Sequence, residues 1–237
     1  MFSLFIRTAS TITLLAWAAH CPALELWDGE FELGFVKTTG NTSTSSLNAS
    51  INLSSNQDRW EYRTSLESLT SSSNSIASAE TYAATGNISH HYSTDNFSFI
   101  NADYENNRFS GLKYLTSLSI GYGWRLFSND AMLVDWETGP GYRLSEQDDG
   151  INKNEAIIRL AGKLEWQLSD HANFDQQLSS EIGQLETVSR LSSSLTATIN
   201  SHLAVRLSYD LNHFSDIPDD KSHHFDAKSS VTLVYGF

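Results

Sequence analysis

Histidine and serine are the side chains with which this sequence could carry out metal or hydrolytic chemistry. The histidines at 90–91 and 223–224 are adjacent pairs, and neighbouring side chains of a β-strand point to opposite faces, so the two members of a pair cannot bind one metal ion. His91, His202 and His213 have hydroxyl neighbours, but no ordered motif marks a nucleophile. We therefore expect no metal, no cofactor and no enzyme, with an outer-membrane lipid hydrolase as the remaining catalytic alternative.

Charged side chains form the second group with chemical potential, and they recur at alternate positions opposite apolar residues. If that polar face lines a lumen, the excess of acids over bases favours cations through its field. The alternative is a crowded interior in which the charges pair with one another and fill the barrel. The candidate lumen-lining residues are Glu30, Glu32, Glu61, Arg63, Glu67, Asp103, Arg125, Asp135, Glu137, Arg159, Lys163, Glu165, Arg206, Asp210 and Lys228.

The elements that would position these residues are β-strands, because apolar and polar residues alternate with a period of two. The clearest segments contain Leu47, Ala49, Ile51 and Leu53, and then the run from Ala156 to Leu168. About twelve such segments follow one another. In the fifth, the apolar phase changes between Phe99 and Ile100, which predicts a β-bulge at that point.

The connections between these segments alternate in length. SNQDR, STDN, SNDA, SDHA and NSH are tight turns, whereas the intervening connections are longer and more polar. The longer connections are expected at 38–44, 70–80, 105–113, 145–153, 183–189 and 215–223. This order is typical of a transmembrane up-and-down antiparallel β-barrel with periplasmic short turns, and an even strand number places both termini in the periplasm. A soluble sandwich is the alternative for the strand pattern alone.

Composition agrees with a secreted barrel of a Gram-negative bacterium. Twelve Phe, nine Tyr and six Trp accompany only three Pro, and a barrel exposes only alternate residues to lipid, which allows a mean hydropathy of -0.31. The formal charge of -13 excludes nucleic acid as a partner. Residues 1–23 have the pattern of a signal peptide, with Arg7, a short apolar run and small residues up to Ala23. The barrel domain is then 24–237.

The C-terminal run VTLVYGF resembles the signal that the barrel-assembly machinery reads, through Val231, Leu233, Tyr235 and Phe237. That resemblance implies the assembly machinery, periplasmic chaperones and outer-membrane lipid as partners.

Nearly the whole remaining chain resembles the YdiY-like, salt-induced outer-membrane protein family. The resemblance is carried by the start of the barrel from LWDGEFELGF to the GNTSTS run, by NNRFSG, by SIGYGWRL and by GPGYRL. The family commonly has Asp before the Arg-Phe pair, and this chain has Asn107 there. The resemblance implies a barrel in the outer membrane and leaves its activity open.

These observations lead to two hypotheses for the function. The first is a small, weakly cation-favouring pore or stress-related envelope barrel that passes an ion or a small solute. The second is a filled barrel that supports the envelope or displays its loops. Whether the lumen is open distinguishes the two.

Overall fold

The computed structural model describes residues 27–38, 44–73, 76–107, 112–147, 150–215 and 225–237. The predicted signal peptide at 1–23 lies outside these residues. The described residues form twelve β-strands: β1 Asp28–Thr38, β2 Thr44–Gln57, β3 Trp60–Ser73, β4 Ile76–His91, β5 Asn96–Asn107, β6 Leu112–Ser128, β7 Met132–Gln147, β8 Asn152–Ser169, β9 Ala172–Gly183, β10 Thr187–Thr198, β11 Leu203–Phe214 and β12 Phe225–Gly236.

Each strand pairs antiparallel with its neighbours in sequence, and β1 pairs with β12 to close the barrel. The predicted all-β, antiparallel, up-and-down barrel of about twelve strands is therefore confirmed. Closure pairs part of the backbone of both terminal strands, which in an open sheet would remain as unpaired edges. At the closing seam, the amides and carbonyls of Gly29 and Phe237 bond to each other in both directions, at 2.9 Å.

The alternation of residue types along the strands separates an apolar outer face from a polar inner face. On β11, the exposed side chains of Val205, Leu207 and Tyr209 alternate with Arg206 and Asp210, which contribute to the inner wall. Successive side chains of a strand point to opposite sides of the sheet, so the period of two in the sequence becomes an inside and an outside. Among the described residues, no helix is long and apolar enough to cross a membrane.

The bulge predicted between Phe99 and Ile100 is wrong. The pairing of β5 with both neighbours runs without a shift through these residues, and the irregularity lies instead between Glu105 and Asn107 on the β6 side. Phe97 and Phe99 point into the barrel and are each 1% exposed. The inner wall accepts their rings because the facing residues on β6 are glycines.

The connections at one end of the barrel are short, such as Asp58–Arg59 between β2 and β3 and Asp170–His171 between β8 and β9. At the other end, the prediction of a long connection at 70–80 is wrong, because β3 continues to Ser73 and β4 begins at Ile76. The 183–189 connection is also shorter, because Gly183 still pairs with Ile157 of β8 and the β9–β10 pairing begins at Ile182 and Thr187. Strand pairing depends on backbone hydrogen bonds and does not need alternating apolar side chains. A serine-rich segment can therefore continue both strands of a hairpin.

Candidate functional site: the barrel lumen

The inside of the barrel contains a cavity of about 1380 Å³. Its wall includes Asp130 and Ser201 in the short turns at one end, and Asn107 and Asp226 at the strand ends of the other. The cavity therefore extends along most of the length of the strands. For comparison, typical small-molecule pockets measure roughly 300 to 1,000 Å³.

The structure places the sequence-predicted lumen residues in the wall of this cavity, with two exceptions. Glu61 and Arg125 lie outside the wall, near the short turns. Glu61 pairs with Arg63 at 2.7 Å and with His91 at 3.3 Å. Arg125 donates two hydrogen bonds of 2.9 Å to the carboxylate of Asp135. Of the four predicted assembly-signal residues, Val231, Leu233, Tyr235 and Phe237, all are on the outer face and strongly exposed.

Near the short turns, one arginine on the inner face connects β11 to β1, across the strand that closes the barrel. Arg206 on β11 donates to Glu30 at 2.9 Å and to Glu32 at 2.5 Å, both on β1. Glu32 is only 7% exposed and also accepts hydrogen bonds from Asn52 on β2, at 3.0 Å, and from Thr232 on β12, at 2.9 Å. A buried carboxylate with several donors keeps its partners in place, since losing one would leave a charge unpaired.

Nearer the other end, ion pairs reach across the lumen. Lys228 on β12 pairs with Glu67 on β3 at 3.4 Å and with Asp210 on β11 at 3.3 Å. Arg190 on β10 pairs with Glu105 on β5 at 3.5 Å. Because β5 and β10 are five strands apart in the barrel, this second contact crosses the interior rather than following the wall.

A buried cluster closes part of the interior between β5 and β10. Glu181 on β9 has no exposed surface, accepts a 2.6 Å hydrogen bond from Ser117, and lies within 4 Å of Arg143, Arg159 and Arg190. Arg143, 1% exposed, also pairs with Glu155 at 2.5 Å. The charges are therefore partly compensated by each other, as in a filled barrel.

An apolar cluster lies inside the barrel at the same end. Leu115 on β6, Val188 on β10 and Phe214 on β11 are buried together. β6 is not a neighbour of β10 or β11 in the barrel, so the side chain of Leu115 reaches the other two across the lumen. The cavity lies beside this obstruction, and every strand except β6 contributes residues to its wall.

Sequence reasoning missed Glu105 and Arg190, which it assigned to connections or left at the edge of a strand. Glu105 shares the inward phase of Asp103, which was identified on β5, and Arg190 lies on the polar phase opposite Leu191 and Leu195 of β10. Glu105 and Arg190 would have been predicted to face inward if each strand had been extended by two residues with the same alternation. The apolar cluster could not be predicted from the alternation. An apolar side chain at an inward position only breaks the pattern of polar and apolar residues, and does not show which residues it will contact.

The charges of the cavity wall do not balance. Thirteen Asp and Glu residues contribute to it against six Lys and Arg residues. The six bases all have an acidic partner within 4 Å, namely Arg63, Arg159, Lys163, Arg190, Arg206 and Lys228. Among the described residues, Glu137 and Asp175 in the wall belong to no ion pair of this kind. The lumen therefore carries a net negative field.

The histidines that suggested catalysis are dispersed. His91 is inside, against Phe97, with 5.1 Å between the ring centres. His202 lies in a short turn, where its Nδ1 is 2.7 Å from the hydroxyl of the preceding Ser201. His213 contacts the ring of Phe225 at the other end. In the part of the chain that the structure describes, no group of three or more His, Cys, Asp or Glu could hold a metal ion.

Residues 31–237 match a protein family described as "Protein of unknown function, DUF481". The chain belongs to this family. A curated relative, the uncharacterized protein YdiY of Escherichia coli (strain K12), is 28% identical over 214 residues, which are 88% of this chain and 82% of the relative. This match confirms the resemblance to the YdiY-like family, and it supplies no activity.

The DUF481 barrel is also similar to a solved structure described as the NanC porin. The TM-score is 0.52, the sequence identity is 10%, and the superposition covers 88% of this chain and 98% of the other. At this identity the likeness concerns the barrel fold. It does not concern the residues of the lumen.

Proposed function

We propose that this DUF481 protein is an outer-membrane barrel that provides a narrow, water-filled path for small cations and small polar solutes. The observation that carries the proposal is the cavity beside the buried clusters, which has wall residues at both ends of the strands. Its wall is polar and negatively charged, so a hydrated cation or a neutral hydroxylated molecule fits it better than an anion. The proposal assigns no catalytic step.

The outer face supports a place in a membrane. Large apolar side chains are exposed all around the barrel, which is costly in water and favourable in lipid. Near the short turns, neighbouring rings contact one another in the order Trp27, Tyr62, Trp60, His90, Tyr92, Tyr122 and Trp124. Such a band of aromatic residues is typical of a membrane interface.

A second band of exposed tyrosines, Tyr82, Tyr104 and Tyr142, lies toward the other end. Tyr82 and Tyr92 are ten residues apart on one hairpin arm. At roughly 3.3 Å per residue and a strand tilt of about 40°, their separation along the barrel axis is about 25 Å. That is the height of the apolar belt of outer-membrane barrels. We propose that the short turns face the periplasm, together with Trp27 and Phe237, which lie at the same end of the barrel.

Ion selectivity tests the proposal. For protein reconstituted in a planar bilayer with a tenfold KCl gradient, we expect a reversal potential of the sign that marks preference for K⁺. Changing Glu137→Gln and Asp175→Asn together removes two wall charges that have no ion-pair partner, and should bring the reversal potential closer to zero. Glu146→Gln is the control, because Glu146 pairs with the exposed Lys113 outside the cavity wall.

A filled barrel without transport is the second candidate, and the buried cluster around Glu181 together with the apolar cluster favours it. The two candidates differ in a single outcome. A filled barrel gives no conductance in the same bilayers, even though the protein is folded. In that case, the wall charges would serve only to hold the strands together.

A further inference from the structure

The seam between β1 and β12 is interrupted. The residue pairing of these strands comprises four pairs, from Glu30↔Gly236 to Leu33↔Leu233. The flanking interfaces, β1 with β2 and β11 with β12, each have eleven pairs. Beyond Leu33, β1 continues to Thr38 and is paired with β2 only, while β12 from Phe225 to Thr232 is paired with β11 only.

The interruption affects one end of the seam. Near the short turns, the seam is fastened by the bonds between Gly29 and Phe237 and by the hydrogen bond from Thr232 to Glu32. The strands are still close at Gly34, where a Cβ would be 3.1 Å from the carbonyl oxygen of Val231. Above this point, both strands remain extended but no longer pair. The opening therefore faces the half of the barrel near the longer connections.

The two sides of the interrupted seam differ in chemistry. On the outer face, Phe35 and Val231 flank it and are 63% and 61% exposed. On the inner face, Lys228 and Ser230 belong to the cavity wall. Unpaired backbone groups inside a bilayer are unfavourable in contact with lipid, and are tolerated where they line a water-filled cavity. The interrupted seam borders such a cavity.

Lys228 spans the interrupted seam from the inside. Its ammonium group reaches from β12, past β1 and β2, to Glu67 on β3 at 3.4 Å. Among the side chains that the structure describes, this contact joins the two sides at that height, where the backbones of β1 and β12 do not pair. A side chain can rotate away far faster than a ladder of backbone hydrogen bonds can open.

We propose that the interrupted seam is a lateral route by which a single-chain amphiphile passes between the lumen and the lipid leaflet near the longer connections. A molecule with a polar head and one apolar chain can place its head in the polar cavity and its chain against the apolar outer face at the same time. The surplus of acidic residues in the wall favours a zwitterionic or cationic head group over an anionic one. This inference rests on the proposed membrane location and on an open lumen.

Cross-linking the seam tests the route. Phe35 and Val231 would be direct partners if the ladder continued in register, so the variant F35C/V231C can be joined by a short bis-maleimide. The control is L195C/L207C, which joins outward residues of β10 and β11 that already pair. The only native cysteine, Cys21, lies in the predicted signal peptide and is left out of the refolded protein.

The assay follows fluorescent lysophosphatidylcholine in vesicles that contain the refolded protein. Serum albumin, which is too large to enter the barrel, extracts the probe from the outer leaflet and reports its movement between leaflets. We expect the protein to accelerate this movement several-fold over empty vesicles. Cross-linking F35C/V231C should abolish the acceleration, whereas cross-linking L195C/L207C should leave it unchanged.

The outcomes separate this proposal from the pore. If the cross-linked seam variant conducts ions and still moves the probe at the uncross-linked rate, the lateral route is wrong and the pore remains. If F35C alone cross-links two copies of the chain in vesicles, the free strand edges bind a second copy, which also overturns the route. Amide hydrogen exchange on the unmodified protein gives an independent test, since residues 35–38 and 225–231 should exchange faster than β10 and β11. Equal protection would contradict an interrupted seam.

Discussion

Glu32 connects four adjacent strands through one carboxylate. It lies on β1 and accepts hydrogen bonds from Asn52 on β2, Arg206 on β11 and Thr232 on β12. These contacts lie just below the point at which the β1–β12 pairing ends. A single buried side chain thus secures the closed part of the seam.

Changing Glu32→Ala should lower the free energy of unfolding by about 3 kcal/mol, because it leaves Arg206 with one carboxylate partner instead of two. The measurement is urea unfolding of the protein in detergent or lipid, followed by tryptophan fluorescence. Glu165→Ala is the control, since its partner Lys163 is two residues away on the same strand and its side chain is 44% exposed. The control should cost less than about 1 kcal/mol, and equal losses would contradict the role given to Glu32.

Phe237 combines a structural contact with the predicted assembly signal. Its backbone bonds to Gly29, and its ring covers that glycine so closely that a Cβ there would be 2.4 Å from a ring carbon. The ring is nevertheless 57% exposed.

We expect Phe237→Ala to reduce the amount of folded barrel in cells several-fold and to change the stability of protein refolded in detergent much less. Phe225→Ala at the opposite end of β12 is the matched control, with a similarly exposed ring, and should leave assembly in cells unaffected. Folded protein is quantified by its altered migration in unheated gels. A similar reduction for both variants would mean that the terminal residue has no special part in assembly.

The arrangement of β5 and β6 is an element-scale feature that sequence alternation cannot describe. Phe97 and Phe99 occupy the inward phase because Gly123 and Gly121 across the pairing leave space for their rings. A Cβ on Gly123 would lie 2.2 Å from the ring of Phe97. The glycine and the ring therefore fit together as a pair.

Changing Gly123→Ala should destabilise the barrel by roughly 1 to 3 kcal/mol, as expected for overpacking at a buried position. Gly86→Ala is the control, because no atom lies within 4 Å of its Cβ position. The double variant G123A/F97L should recover part of the loss. Full additivity of the two changes would show that the contact between the residues is not the cause.

At the scale of elements, sequence alone predicted the number of strands, their direction and the inward phase of most charged residues. The reason is that a single barrel wall has one inside and one outside, so the period of two carries most of the information. It failed where pairing partners decide the outcome. Phe97 faces inward because of a residue 26 positions later, and Arg190 has its role because β5 lies opposite β10. Neither relation is visible in the local pattern.

At the scale of the whole molecule, the interior of the barrel contains both a buried obstruction and a polar cavity. The interior between β5 and β10 is obstructed by buried ion pairs and by the apolar cluster of Leu115, Val188 and Phe214. The polar cavity beside this obstruction has an excess of acids, and its wall includes residues of β5 and of β7 to β10. A narrow path beside a fixed obstruction would select by size and charge without a mobile gate.

Single-channel recording is the most direct test of this account. Refolded protein in a planar bilayer should give small, discrete current steps. The variant Arg190→Ala should give larger steps, because it removes the ion pair with Glu105 that crosses the lumen. Absence of steps from both proteins, with folding verified by gel migration and circular dichroism, would contradict an open lumen.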